Sequence, residues 1–228
     1  MQPRTLAILL TLLPLLAANA AYLQSAFDGL VPWCIPYIDG CTSISRAGRS
    51  GNSIFLFRAL MIVYSVLLML FWIYSRHWLN ILHGHSTKIA HTIFWLGLVG
   101  VISLIVYIDF LGTTGEVNRF MRRYGIMLYF TLTPLAQLLL LNQHYKILNK
   151  LSGASINQKA LKYQLIVLIL MLVIAIISIL LSVTQNKTDE TENIVEWNYS
   201  LLLTLYFAGQ FYIWKNYRLT FTSSGAKN

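Results

Sequence analysis

The chain has 228 residues, of which 57% are hydrophobic and 11% charged, with a net charge of +9. That balance excludes an ordinary soluble domain and describes a chain whose solvent is a bilayer. A spanning helix needs roughly 20 mostly apolar residues at ~1.5 Å rise each, so six spans take about half the chain and leave no room for a separate soluble domain.

The first apolar run is Leu6 to Leu23, interrupted by Pro14, which a spanning helix tolerates when neighbours satisfy the freed carbonyl. Met1 to Arg4 is short and basic, Leu6 to Leu16 is apolar, and Ala18-Asn19-Ala20 is a small-residue processing site. A cleaved signal peptide is therefore the alternative to a retained first helix. The segment from Gln24 to Ser53 follows, the longest polar stretch between spans. Cys34 and Cys41 are the only cysteines, and Pro36 and Gly40 between them permit a tight reversal. On an oxidising outer face they predict a disulfide. Zinc is disfavoured there, since two thiolates without a histidine make a poor tetrahedral site.

Within this segment stand Pro36-Tyr37-Ile38-Asp39 and Thr42-Ser43-Ile44-Ser45, and the second apolar run, Ile54 to Tyr74, opens on Ile54-Phe55-Leu56-Phe57-Arg58. This pattern resembles the first outer loop of the DRAM-type membrane family. That family includes the damage-regulated autophagy modulators, the GPI-anchor lipid-remodelling proteins of the Golgi and the amino-terminal domain of a yeast cell-wall biogenesis protein. The resemblance implies an all-α, six-span fold with a role in membrane lipids or membrane traffic, and it implies no catalytic set. The chain departs from the family between the third and fourth spans, where members often carry a histidine and this sequence reads Gly112-Thr113-Thr114-Gly115-Glu116-Val117-Asn118-Arg119.

After the second span, Ser75 to His91 is basic and histidine-bearing. Trp78, Leu79, Ile81 and Leu82 fit either an interfacial amphipathic stretch or a continuing helix end. The remaining spans are Thr92 to Leu111, Tyr124 to Leu141, Leu161 to Val183 and Tyr199 to Trp214. The connector Asn142 to Ala160 is again basic without an acid, whereas Thr184 to Trp197 is acidic. Two glycosylation sequons, at Asn186 and Asn198, precede the last span; Asn198 lies too close to the membrane to serve as an acceptor.

Placing the amino terminus in the cytosol puts Arg4, Arg76, Lys88, Lys146, Lys150, Lys159, Lys162, Lys215, Arg218 and Lys227 inside, ten of seventeen basic residues. Both termini are then cytoplasmic. The outer side holds Arg46, Arg49, Arg119, Arg122, Arg123 and Lys187, with all eight acids outside or at outer helix ends and all five histidines inside. A basic inner rim attracts anionic lipid head groups and does not argue for nucleic acid.

Ionisable residues at membrane depth are expensive and mark candidate sites. Arg58 and Asp109 share a depth and predict an ion pair. Together with Asp39, Ser43, Ser45, Arg46, Arg49, Glu116, Arg119, Arg122 and Arg123 they outline a polar cluster that contacts a lipid phosphate or a membrane-protein partner through arginine forks. Snorkelling and inter-helix bonding are the competing reading of the same residues. His83, His85 and His91 lack a carboxylate or thiolate on their face, so neither a metal nor another cofactor is expected. Ser43 and Ser45 are candidate nucleophiles without a base positioned by sequence. Gly97, Gly100, Pro134, Gln137, Gly209 and Gln210 hint at a transport path, but fit close helix packing and inter-helix bonds better. The leading expectation is a non-catalytic, lipid-associated membrane protein. An outer-face acyl-transfer enzyme comes second and a small-solute transporter third. Short loops favour a bacterial inner membrane over a Golgi or lysosomal one.

Overall fold

The computed structural model describes residues 1–150, 156–184 and 188–217. The sequon at Asn186 and the basic residues Lys187, Arg218 and Lys227 lie outside the described residues. The elements are α1 (Pro3–Phe27), the short α2 (Pro36–Asp39) and α3 (Ile44–Ala47), then α4 (Ser53–His83), α5 (Lys88–Phe110), α6 (Glu116–Lys150), α7 (Gln158–Val183) and α8 (Asp189–Ile213), followed by a 3-10 turn at Trp214–Asn216. Among the described residues there is no strand.

Five helices, α1 and α4 to α7, are long and apolar enough to cross a membrane. The 25-residue α8 has the length, but acids in its first turns lower its mean hydropathy. The long helices outrun their apolar segments, α4, α6 and α8 by the most. α4 continues past Tyr74 to His83 and buries Ser75 and Leu79, so the stretch around Trp78 is helix end and not a separate interfacial element. α6 begins at Glu116, ahead of Tyr124, and α8 begins at Asp189, ahead of Tyr199. Hydropathy reading ends where charge begins, whereas a helix ends where its caps fall. Thr188 and Thr191 form a reciprocal capping box, and Asp189, Glu190 and Glu192 suit the positive end of the helix dipole.

The six long helices form a ring in which α1 packs on α4 and α8, α4 on α5, α5 on α6, and α7 on α8, with α6 meeting α7 along the thinnest seam. Small residues set the close approaches. A Cβ on Gly97 of α5 would lie 2.2 Å from the Trp72 indole of α4, and one on Gly125 of α6 would lie 2.8 Å from the Ser103 carbonyl oxygen of α5. Buried amides bind the ring on its other side: Gln137 of α6 donates to the Leu203 carbonyl at 3.3 Å, and Gln164 of α7 donates to Gln210 of α8 at 3.1 Å. These residues join helices as packing and bonding elements.

The 28–52 segment folds over one end of the ring and is tied to α8. Asn193 donates to the Gly40 carbonyl at 2.7 Å, Trp197 to that of Thr42 at 2.8 Å and Asn198 to that of Tyr37 at 2.8 Å. The Cys34–Cys41 disulfide forms, with Cα atoms 6.5 Å apart. Gly40 takes φ +63°, and a Cβ there would come within 2.1 Å of the Glu190 carbonyl oxygen, so the loop lies this close to α8 only with glycine. Tyr22 of α1 holds the inside of the loop, accepting from the Cys34 amide at 2.7 Å.

Candidate functional site: an arginine-walled cavity under the disulfide loop

Beneath this loop lies a cavity of about 750 Å³, bounded by α3, α5, α6, α7 and α8. Each wall comes from a local rule. On α6, Arg119, Arg122 and Arg123 stand at i, i+3 and i+4 and so share one helix face, which lines the cavity. Arg49 reaches in from the turn after α3. Arg122 lies within electrostatic reach of Arg49 and Arg119, so like charges crowd this wall. On α8, Glu192 and Glu196 stand at i and i+4, with Asn193 beside them, and line the opposite side. The first turns of α8 are clasped by the disulfide loop and stand clear of its apolar stretch.

Ser45 sits where the two walls meet. Its hydroxyl is 2.9 Å from the Tyr107 hydroxyl of α5, and it donates to Glu196 Oε1 at 3.5 Å. The Ser45 amide donates to the same carboxylate oxygen at 3.3 Å. Burial pushes the Glu196 carboxyl up to about 7, with the two Ser45 hydrogen bonds and nearby Arg49 pulling the other way. Tyr107, Ile126, Phe130 and Glu196 also line a small inner cavity of about 30 Å³, so the large cavity has a narrow floor in the core of the ring.

Of the sequence-derived residues, Ser43, Ser45, Arg49, Arg119, Arg122 and Arg123 meet here. The others do different work. Asp39 caps its own short helix by accepting from the Ile35 amide at 2.7 Å. Arg46 is exposed and gives its amide to the Ser43 hydroxyl at 3.0 Å. Glu116 starts α6 and is exposed. The expected Arg58–Asp109 ion pair does not form among the described residues. Arg58 donates instead to the backbone carbonyls of Asp109, at 3.0 Å, and Leu111, closing the end of α5 as a cation at a helix C-terminus, while the Asp109 side chain is exposed.

Tyr107, Glu192, Asn193, Glu196 and Tyr199 complete the cavity and were not singled out from sequence. The i, i+4 spacing of Glu192 and Glu196 is the available signal, and hydropathy hides it because the apolar run starts only at Tyr199 while α8 starts at Asp189. On the opposite face of the ring, Trp78 donates to His144 at 3.2 Å, His85 contacts the His83 carbonyl at 3.0 Å and His91 contacts Ser86 at 2.9 Å. Among the described residues no three metal-ligating side chains converge. Comparisons with protein-family models, with curated proteins and with solved structures return no match.

Proposed function

We propose that this chain is a six-span membrane protein of the DRAM type, with both termini cytoplasmic, that holds a phosphate-bearing lipid head group in the arginine-walled cavity at its outer face. The segment from Tyr199 to Trp214, in α8 and the turn that follows it, is the sixth span. The observation that carries the reading is the convergence of Arg49, Arg119, Arg122 and Arg123 on one 750 Å³ space. Guanidinium forks pair bidentately with phosphate oxygens, and a crowd of like charges is relieved by an anion. The position of the cavity under a loop that the charge distribution puts outside supports an outer-leaflet ligand. The basic opposite rim suits anionic lipids of the inner leaflet, and its contact with them rests on the same charge asymmetry.

The test is lipid retention. Purified protein is expected to carry a co-purifying phospholipid in native mass spectra, and the Arg119→Ala/Arg122→Ala double variant to lose at least about tenfold in affinity, as for loss of charge-assisted hydrogen bonds worth ~1.5–3 kcal/mol. Equal lipid retention in a folded double variant rejects the site.

A second reading rests on a separate observation, the Ser45–Tyr107–Glu196 contacts. Acyl transfer would form a bond from Ser45 Oγ to an ester carbonyl carbon and break the ester C–O bond. The serine proton would pass through Glu196 to the departing alkoxide. An acceptor hydroxyl would then take the acyl group from Ser45, its proton returning through Glu196 to Ser45 Oγ. A carboxyl near 7 suits that exchange at neutral pH. Time-resolved lipid analysis should then show turnover by the wild type that Ser45→Ala abolishes; no turnover by the wild type removes this reading.

A further inference from the structure

The cavity is not a uniform basic patch, and it does not end at the level of its arginines. On the α8 side of the cavity, Glu196 commits Oε1 to Ser45 and lies within electrostatic reach of Arg49, while Oε2 has no hydrogen bond among the described residues. A carboxylate oxygen kept beside a cavity without a protein donor is a place for a ligand donor, and a positively charged one gains most. Phosphate oxygens suit one wall and a cationic N–H group suits the other.

A second, apolar groove of about 230 Å³ runs below along the seam of α6 and α7, and Tyr199 lines both spaces. The two helix faces are continuous through the junction. On α6, Met127 and Thr131 line the upper space, and Pro134 and Leu138 the lower one. On α7, Ser178 lines the upper and Leu172 and Leu168 the lower. Along α7 the groove runs from Ala175 to Leu165, about 15 Å at the rise of an α-helix and comparable to the ~15 Å depth of one leaflet. A soluble anion would leave this groove unused, whereas an acyl chain attached to the head group fills it.

We propose that the ligand is an aminophospholipid, with its phosphate on Arg49, Arg119 and Arg122, its ammonium on Glu196 and one acyl chain in the α6–α7 groove. This assignment rests on the head-group reading above and adds the amine and the chain to it. The thin contact between α6 and α7 gives the lipid a lateral entrance from the bilayer.

Detergent-purified protein is titrated, by native mass spectrometry, with phosphatidylethanolamine, with phosphatidylglycerol of the same chains, and with soluble glycerophosphoethanolamine. Phosphatidylethanolamine is expected to bind about tenfold tighter than phosphatidylglycerol, the value of one charge-assisted hydrogen bond. Glu196→Gln, which keeps an oxygen acceptor for Ser45, is expected to bring phosphatidylethanolamine down to the level of phosphatidylglycerol. Leu138→Trp, at a lipid-exposed position of the groove, is expected to weaken the diacyl lipid and leave the soluble head group unaffected. Equal or preferred binding of phosphatidylglycerol, lost with Arg122→Ala, overturns the amine assignment while the phosphate site stands. Soluble head group binding as tightly as the diacyl lipid overturns the chain placement. Lipid binding indifferent to both Arg122→Ala and Glu196→Gln overturns this assignment together with the head-group reading.

Discussion

Glu196 shows how one residue acquires its character from what surrounds it. Its sequence neighbours mark only an acidic stretch, but α3 brings the Ser45 amide and hydroxyl to one of its oxygens and burial raises its carboxyl to about 7. A folded value above the ordinary carboxylate range means that the unfolded chain releases this proton first. The stabilising contribution is therefore complete below the ordinary range and is lost as the pH rises through about 7. Melting temperatures taken from about pH 5 to about pH 8 should fall more steeply for the wild type than for Glu196→Gln; parallel curves would refute the assignment. Arg58 teaches the reverse lesson. Its depth was readable, but the choice between the Asp109 carboxylate and the backbone carbonyls depends on how α5 ends at Leu111, which no residue pattern announces.

Among the elements, the apolar cores of the spans were legible because about 20 apolar residues in a row have one physical explanation. Their polar ends were not. Arg119, Arg122 and Arg123 read as three loop charges until α6 is seen to begin at Glu116, and only then does their spacing become a shared face. The same holds for Glu192 and Glu196 once the Thr188 cap starts α8. Helix contacts depend equally on detail below the reach of hydropathy. Gly97 is small because Trp72 occupies the space beside it, 2.2 Å from where a Cβ would lie. Gly97→Val is expected to cost ~1–3 kcal/mol through overpacking, read as a lowered melting temperature in detergent, while the same change at Gly84, where a Cβ meets nothing within 4 Å, tests only the left-handed turn. A melting temperature unchanged by Gly97→Val would contradict the α4–α5 contact.

At the scale of the molecule, six helices close into a ring, and α1 is one of its members. Leu6, Ala7, Leu10 and Ala17 are fully buried against α4 and α8. A chain processed at Ala20 would lose that face and uncover the parts of α4 and α8 packed on it. Amino-terminal sequencing of the purified protein is expected to find α1 retained, and a start at Ala21 would show that the ring closes without α1. The alternation of helices and the loop that caps one end followed from hydropathy and the cysteine pair. Ring closure did not, because which helices touch is decided by residues such as Gln164 and Gln210 that meet only in three dimensions.

The cavity joins the first long loop of the chain to its last long helix. Ser45 meets Glu196, and Gly40 and Thr42 meet Asn193 and Trp197, across roughly two-thirds of the sequence. During synthesis the arginine wall is made well before the acidic one, and the disulfide can close while its α8 partners are still inside the ribosome. A nascent chain therefore remains open on one side until α8 arrives, so that the cavity is complete only when translation of α8 is finished.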